Sequence, residues 1–307
     1  MINGMFLKRS DCIICGQSNF KKVYNASFVE NNIKKYLIDY YNQANFNLIE
    51  KIIRNNFFSL NKCDDCNFLW QENVPDGTFL DDLYENFIDK NKSLKKSLEY
   101  SHTRKNSFFH EFNKIKKRFN KDVSKINILD FGCGWGDWAL LAKSYGFNVS
   151  VLEVSKSRVA HLKSGNLNLI EDIDNIYYKN FFHYIRCEQV IEHVTHLDEI
   201  VIKMNNLIVK NGVLMVSVPD GKKLINLKEY KNIKIEKGPI QPLEHVNCFS
   251  NYSLKKIFYK HQFKKLSLFD IIYENLRLKS LTVRGAANIL SQIYKQFFST
   301  TIKFKKK

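Results

Sequence analysis

The stretch Ile128-Leu129-Asp130-Phe131-Gly132-Cys133-Gly134-Trp135-Gly136-Asp137 sets the fold of this 307-residue chain. A short apolar run leads directly into three glycines at alternate positions. That pattern reads as a buried strand ending in a sharp turn, which glycine enters cheaply because it has no Cβ. Outward from the turn the rhythm repeats. Asp137–Tyr145 reads as a helix, Asn148–Glu153 as a second strand, and Ser155–Ser164 as a helix with Ser155 at its N-cap. Tyr184–Cys187 reads as a strand, Leu197–Val209 as a helix closed by Asn211-Gly212, and Val213–Val218 as a strand stopped by Pro219. An irregular insertion follows over 220–245, then a helix Tyr252–His261 and a late strand Lys264–Ile271. Alternating strands and helices predict an α/β fold, a mostly parallel sheet with helices on both faces.

Glu153 ends the second strand, 21 residues after Gly132. A carboxylate there can accept hydrogen bonds from both hydroxyls of a ribose. The dinucleotide pattern G-x-G-x-x-G wants its third glycine where Asp137 stands, and a carboxylate at a helix start repels a pyrophosphate. S-adenosylmethionine has a ribose and no phosphate, so it escapes that penalty.

The run D-F-G-C-G-W-G resembles motif I of the class I S-adenosylmethionine-dependent methyltransferases. Phe182–Val194 is similar to that family's fourth strand and the segment after it, with His183 in place of the usual Asp, and Asn211–Pro219 is similar to its fifth strand. The resemblance implies a Rossmann-like core with a mostly parallel seven-stranded sheet and S-adenosyl-L-methionine as cofactor. It places Gly132 and Gly134 beneath the methionine part, Glu153 on the ribose, and Asp130 as support for the loop. Glu188 and Gln189 fall near the methionine end, and Asp172, in preference to Asp174, falls near the adenine.

Seven cysteines are present, an odd number. Four form two C-x-x-C pairs, Cys12/Cys15 and Cys63/Cys66, each followed by a residue that tolerates a left-handed backbone, Gly16 or Asn67. Four thiolates can close a tetrahedral structural Zn2+ site with no open position for catalysis. A thioredoxin-like redox motif would need only one pair.

The cysteine pairs, a helical linker and this core together resemble bacterial sugar C-methyltransferases and their relatives. Glu244-His245-Val246-Asn247-Cys248-Phe249-Ser250 is similar to the segment that carries the active-site His in that group. The resemblance implies a small, sugar-containing or nucleotide-sugar acceptor in surface-polysaccharide or related biosynthesis. Methyl transfer needs the acceptor held in line and its proton removed. His245 is expected as the base, because imidazole titrates near neutrality. Glu244 is expected to orient it or bind a hydroxyl, and His193, read as starting the helix after the fourth strand, is a second candidate.

The expected organisation is a zinc-binding subdomain over 1–80, a helical connector over 81–122, the core over 123–272 and a basic tail over 273–307. The connector carries Leu94, Leu98, His102, Phe109, Phe112, Ile115 and Phe119 at helical spacing.

A net charge of +17 raises the question of a polyanionic partner. Only 8 of the 48 basic residues are Arg, the side chain best suited to bidentate phosphate and base contacts, and the Lys are spread along the whole chain. That argues against a nucleic-acid surface. An RNA methyltransferase and a non-catalytic zinc scaffold remain the competing readings; salt-dependent RNA retention or cofactor binding without turnover would mark them. No apolar signal core precedes Asp11, so a cytoplasmic protein is expected, with at most weak membrane contact through the basic C-terminus.

Overall fold

The computed structural model describes residues 5–99, 102–231, 233–276 and 283–307. It separates into two compact units, neither of them a single run of chain. One contains Lys90–Val190, Glu199–Ser217 and the chain from Phe258 onward. The other contains the chain up to Asp89 together with Ile191–Asp198 and Val218–Ile257.

The first of these units is built on a seven-stranded sheet. Its strands are β1 (Asn127–Phe131), β2 (Asn148–Leu152), β3 (Asn168–Leu169), β4 (Phe182–Glu188), β5 (Ile208–Ser217), β6 (Phe263–Lys265) and β7 (Thr301–Lys306). Their order across the sheet is β6-β7-β5-β4-β1-β2-β3. The five strands from β5 to β3 pair in parallel, and β7 pairs antiparallel with both β5 and β6. The chain moves from β1 outward to β2 and β3, then returns to the other side of β1 for β4. That reversal is a topological switch point, where parallel sheets bind ligands beyond the carboxyl ends of their strands. β1 is buried over Ile128–Phe131, which explains its apolar run.

The connector helix His102–Phe119 packs on this sheet through Phe108, Phe112 and Ile115. The stripe therefore runs through Phe108 rather than Phe109, which is exposed, because residues four and three apart share a helical face. Glu111 on the same helix accepts hydrogen bonds from Trp138 Nε1 at 3.2 Å and Tyr184 Oη at 2.5 Å.

Part of the basic tail expected over 273–307 is built into the sheet. Residues 277–282 of that stretch lie outside the described residues, but Thr301–Lys306 is a strand inside the sheet. Ile302 and Phe304 are buried in the core, and Lys303 and Lys305, which alternate with them, find acids on the helix Leu268–Leu276. Lys305 bonds both oxygens of Asp270 at 3.0 and 2.8 Å, and Lys303 bonds Glu274 at 3.1 Å. The late strand is likewise shorter than its expected span, ending at Lys265 before that helix begins.

In the other unit a four-stranded antiparallel sheet runs in the order Asn247–Cys248, Leu69–Gln71, Phe57–Cys63 and Phe20–Ser27. The amphipathic helices Asn31–Tyr41 and Gln43–Ile53 bury Ile33, Leu37, Phe46, Ile49 and Ile53 in the same core as Phe58 and Leu60 of that sheet. No described helix is long and apolar enough to cross a membrane.

Burial alone would raise the Asp270 carboxyl, but hydrogen bonds from Lys305 and Ser267 outweigh it and hold the group at about 2, below its ordinary 3.8. The stabilisation from this carboxylate is complete above pH ~4 and fades as pH falls toward ~2. We expect Asp270→Asn to lower the thermal midpoint at neutral pH and to flatten its decline between pH 4 and 2, as followed by circular dichroism.

Candidate active site

The glycine turn joins β1 to the helix Asp137–Tyr145. All three of its glycines have positive φ, +73° at Gly132, +60° at Gly134 and +79° at Gly136. A Cβ on Gly132 would stand 2.5 Å from Val190 Cγ2, and one on Gly136 would stand 2.4 Å from Leu162 Cδ2. Around Gly134 the space is open, with nothing within 4 Å of a built Cβ. Two glycines thus let the protein close on itself, while the middle one leaves main chain approachable by a ligand.

Glu153 follows β2. Its Oε2 accepts from Gly134 N at 2.8 Å, and its Oε1 accepts from Val154 N at 3.0 Å and Ser155 N at 2.9 Å. Arg158 approaches at 3.7 Å, and the Glu153 side chain is 5% exposed. The carboxylate expected on a ribose is first a clasp for the loop. Ser155 caps the next helix by accepting from Arg158 N at 3.5 Å.

Asp130 is buried on β1, and its Oδ1 lies 3.5 Å from Arg186 of β4. Burial pushes its carboxyl up to about 6 against the pull of Arg186. Arg186 also pairs with Glu188 and stacks over Trp138 at 5.1 Å from the ring centroid. Glu188 closes β4, and Gln189 follows in a left-handed conformation, its N–H donating to Ser217 O of β5 at 2.8 Å. Asp172 is exposed and accepts from Asp174 N at 2.9 Å, an Asx turn, while Asp174 pairs with Lys203 at 2.8 Å. Thus Glu153 is tied to Gly134 in the glycine turn, Gly132 N donates to Leu152 O at 2.9 Å, and Asp130, Glu188 and Gln189 lie on or just beyond β1 and β4. Asp172 belongs to the loop after β3.

The four cysteines come together. Sγ of Cys12 is 3.5 Å from that of Cys66, and Sγ of Cys15 is 3.6 Å from that of Cys63. All four sulfurs lie within 4.8 Å of one another, and none is in a disulfide. Tetrahedral Zn–S bonds of about 2.3 Å require sulfurs about 3.8 Å apart, so the donor set fits that ion. The two turns are alike: Gly16 N donates to Cys12 O at 2.7 Å, and Asn67 N to Cys63 O at 3.0 Å, with Gly16 and Asn67 both left-handed.

His245 and His193 meet in the same unit as the cysteines, while the neighbouring Glu244 turns to other partners. His193 precedes the helix Leu197–Leu207 in a turn instead of starting it. The His193 and His245 rings stand edge to face with centroids 4.6 Å apart. Tyr84 Oη is 3.0 Å from His193 Nδ1, and His245 Nδ1 is 2.5 Å from Gly238 O. Burial, together with the Lys237 charge, lowers the His245 imidazole to about 4. Glu244 is buried and accepts from Tyr41 Oη at 2.6 Å and Tyr40 Oη at 3.1 Å, so it faces tyrosines. Glu192, which the sequence reading passed over, is fully buried beside the two histidines, and burial raises its carboxyl to about 8. Arg186 was also passed over, although a charged residue in the apolar run Phe182–Cys187 was a visible signal.

A glycine turn at the switch point of a parallel sheet, braced by an acid from the next strand, defines the Rossmann-like class of ligand-binding enzymes. A family model described as a methyltransferase domain matches residues 100–268, more than half of the chain. The chain belongs to this family of S-adenosylmethionine-dependent methyltransferases.

Similar curated proteins include the ubiquinone biosynthesis O-methyltransferase of Rickettsia typhi, 32% identical over 114 residues, which are 34% of this chain and 45% of that protein. The enzyme of the same name from Rickettsia prowazekii is 32% identical over 114 residues, 34% of this chain and 44% of its own. The chain therefore spans less than half the length of these relatives. Similar solved structures include the plantazolicin methyltransferase BamL in complex with a triazolic desmethylPZN analog and SAH, with TM-score 0.47, 14% identity and coverage of 74% of this chain and 95% of that one. Another is Haemonchus contortus phosphoethanolamine N-methyltransferase 2 in complex with S-adenosyl-L-methionine, with TM-score 0.43, 15% identity and coverage of 78% and 63%.

Replacing the clasp tests its weight. Glu153→Gln keeps one acceptor but turns an amide donor toward backbone N–H groups, and is expected to cost about 1–3 kcal/mol of unfolding free energy in urea titrations.

Proposed function

We propose that the protein transfers the methyl group of S-adenosyl-L-methionine to a small, sugar-containing acceptor. The observation that carries the cofactor half is the open approach to Gly134 in a turn otherwise closed by packing, at the sheet's switch point. Backbone exposed there can meet the methionine part without a Cβ in the way. Asp130 and Arg186 form the buried ion pair behind the turn, Glu188 and Gln189 close the methionine end, and Asp172 stands on the adenine side. Glu153 retains lone-pair capacity for a ribose hydroxyl beyond the three N–H groups it accepts. When bound, the sulfonium supplies an electrophilic methyl group.

Proton removal from the acceptor falls to the His193–His245 pair. Tyr84 orients His193, Gly238 orients His245, and Glu244 with Tyr40 and Tyr41 offers further polar contacts. A cluster this rich in hydroxyl, carboxylate and imidazole groups suits a polyhydroxylated acceptor. A second reading, favoured by the names of the Rickettsia relatives, is a phenolic hydroxyl of the ubiquinone-precursor kind. Cys12, Cys15, Cys63 and Cys66 are proposed to hold one structural Zn2+.

Calorimetry with S-adenosylhomocysteine tests the first half, and absence of binding overturns it. A panel of nucleotide sugars and catechols then separates the two acceptors. In that assay His245→Ala is expected to slow transfer by about 10²–10⁴-fold while leaving S-adenosylhomocysteine affinity unchanged; full activity removes it from the chemistry. Cys63→Ser is expected to lower bound zinc and the thermal midpoint together, as read by elemental analysis and calorimetry.

A further inference from the structure

We propose that Glu192, His193 and His245 form a second metal site, for a divalent first-row transition ion, apart from the cysteine cluster. One ligand atom from each of the three residues lies within 4.8 Å of the others. Both carboxylate oxygens of Glu192 are buried, and neither has a hydrogen-bond partner among the described residues. A buried polar group left in that state is costly, and a bound ion is one of the few things that explains it.

The surroundings fix the site in advance. The peptide oxygen of Glu192 accepts from Val246 N at 2.8 Å and Asn247 N at 3.0 Å. The Asn247 side chain donates to Ile191 O at 2.9 Å and to Val194 O at 2.6 Å. The turn bearing Glu192 and His193 is thereby sewn to the loop bearing His245. Both rings are also held through Nδ1, His193 by Tyr84 and His245 by Gly238 O. Imidazoles that bind metal through Nε2 are oriented in this way by an outer partner on Nδ1.

Two nitrogens and one carboxylate suit Zn2+, Mn2+, Fe2+ or Co2+; Ca2+ and Mg2+ prefer oxygen-only surroundings. Three protein ligands leave open positions for water or an acceptor hydroxyl. In the metal-bound form both imidazoles are ligands, so the acceptor's proton would pass to a metal-bound hydroxide, and proton removal by the His193–His245 pair belongs to the metal-free form. The ion's existence stands on this geometry alone; only its use on an acceptor rests on the proposed function.

The test is a titration of the zinc-loaded, full-length protein with Co2+, followed by visible absorption and proton NMR. The expected result is one Co2+ per chain beyond the cysteine-bound zinc. It would show d–d bands without a thiolate charge-transfer band, and shifted N–H resonances from two imidazoles. Glu192→Gln and His245→Ala are each expected to weaken this binding by at least about tenfold while leaving the zinc in place. Absence of a d–d band at millimolar Co2+, a band of thiolate origin only, or unchanged affinity in a folded Glu192→Gln protein overturns the proposal. Should that variant fail to fold, the wild-type imidazole resonances decide. Binding of S-adenosylhomocysteine is measured alongside, so loss of the metal site and loss of the methyltransferase reading are told apart.

Discussion

The single carboxylate of Glu153 holds the ligand-facing turn of the parallel sheet in shape. Three peptide N–H groups, from Gly134, Val154 and Ser155, end on its two oxygens. Such donors lie past the ends of strands, where no ladder partner exists, and each would be costly if left alone. A charged acceptor is a stronger partner than a neutral one. The turn is therefore formed before any ligand arrives, so a ligand need not spend affinity on ordering it.

Much of this was legible in the sequence, and the reason is locality. The glycine spacing and the Ser155 cap depend on neighbours within a few residues. The acid 21 residues on falls within one strand–helix–strand unit, although it was read as a ribose ligand and not as the clasp of the turn. The cysteine pairs were legible because two like knuckles, each ending in a residue suited to left-handed backbone, have few other uses. What escaped the reading depends on contacts between distant residues. Glu192 adjoins a histidine that was recognised, but its significance needs His245, 53 residues later. Thr301–Lys306 has the period-two alternation of a strand, yet its lysines mimic a solvated tail until Asp270 and Glu274 are seen opposite them. Phe108 and Phe109 are indistinguishable by composition; only the phase of the helix against Phe112 and Ile115 decides which is buried.

The two units carry different kinds of group. The parallel sheet presents the groups suited to an adenosyl ligand, at strand ends where backbone is exposed. The antiparallel unit presents imidazole, phenol and carboxylate side chains, together with four thiols. Its strand Asn247–Cys248 begins two residues after His245, so the register of Asn247 against Trp70 also fixes the approach of that histidine's loop.

That edge strand also constrains synthesis. A ribosome that has delivered the chain only as far as Asp89 has released the cysteines, both early helices and three strands of the antiparallel sheet, but leaves Leu69–Gln71 with one side bare. Unpaired strand edges invite association with other chains. The covering residues emerge more than 150 positions later. Over that interval the nascent edge stays open on one side.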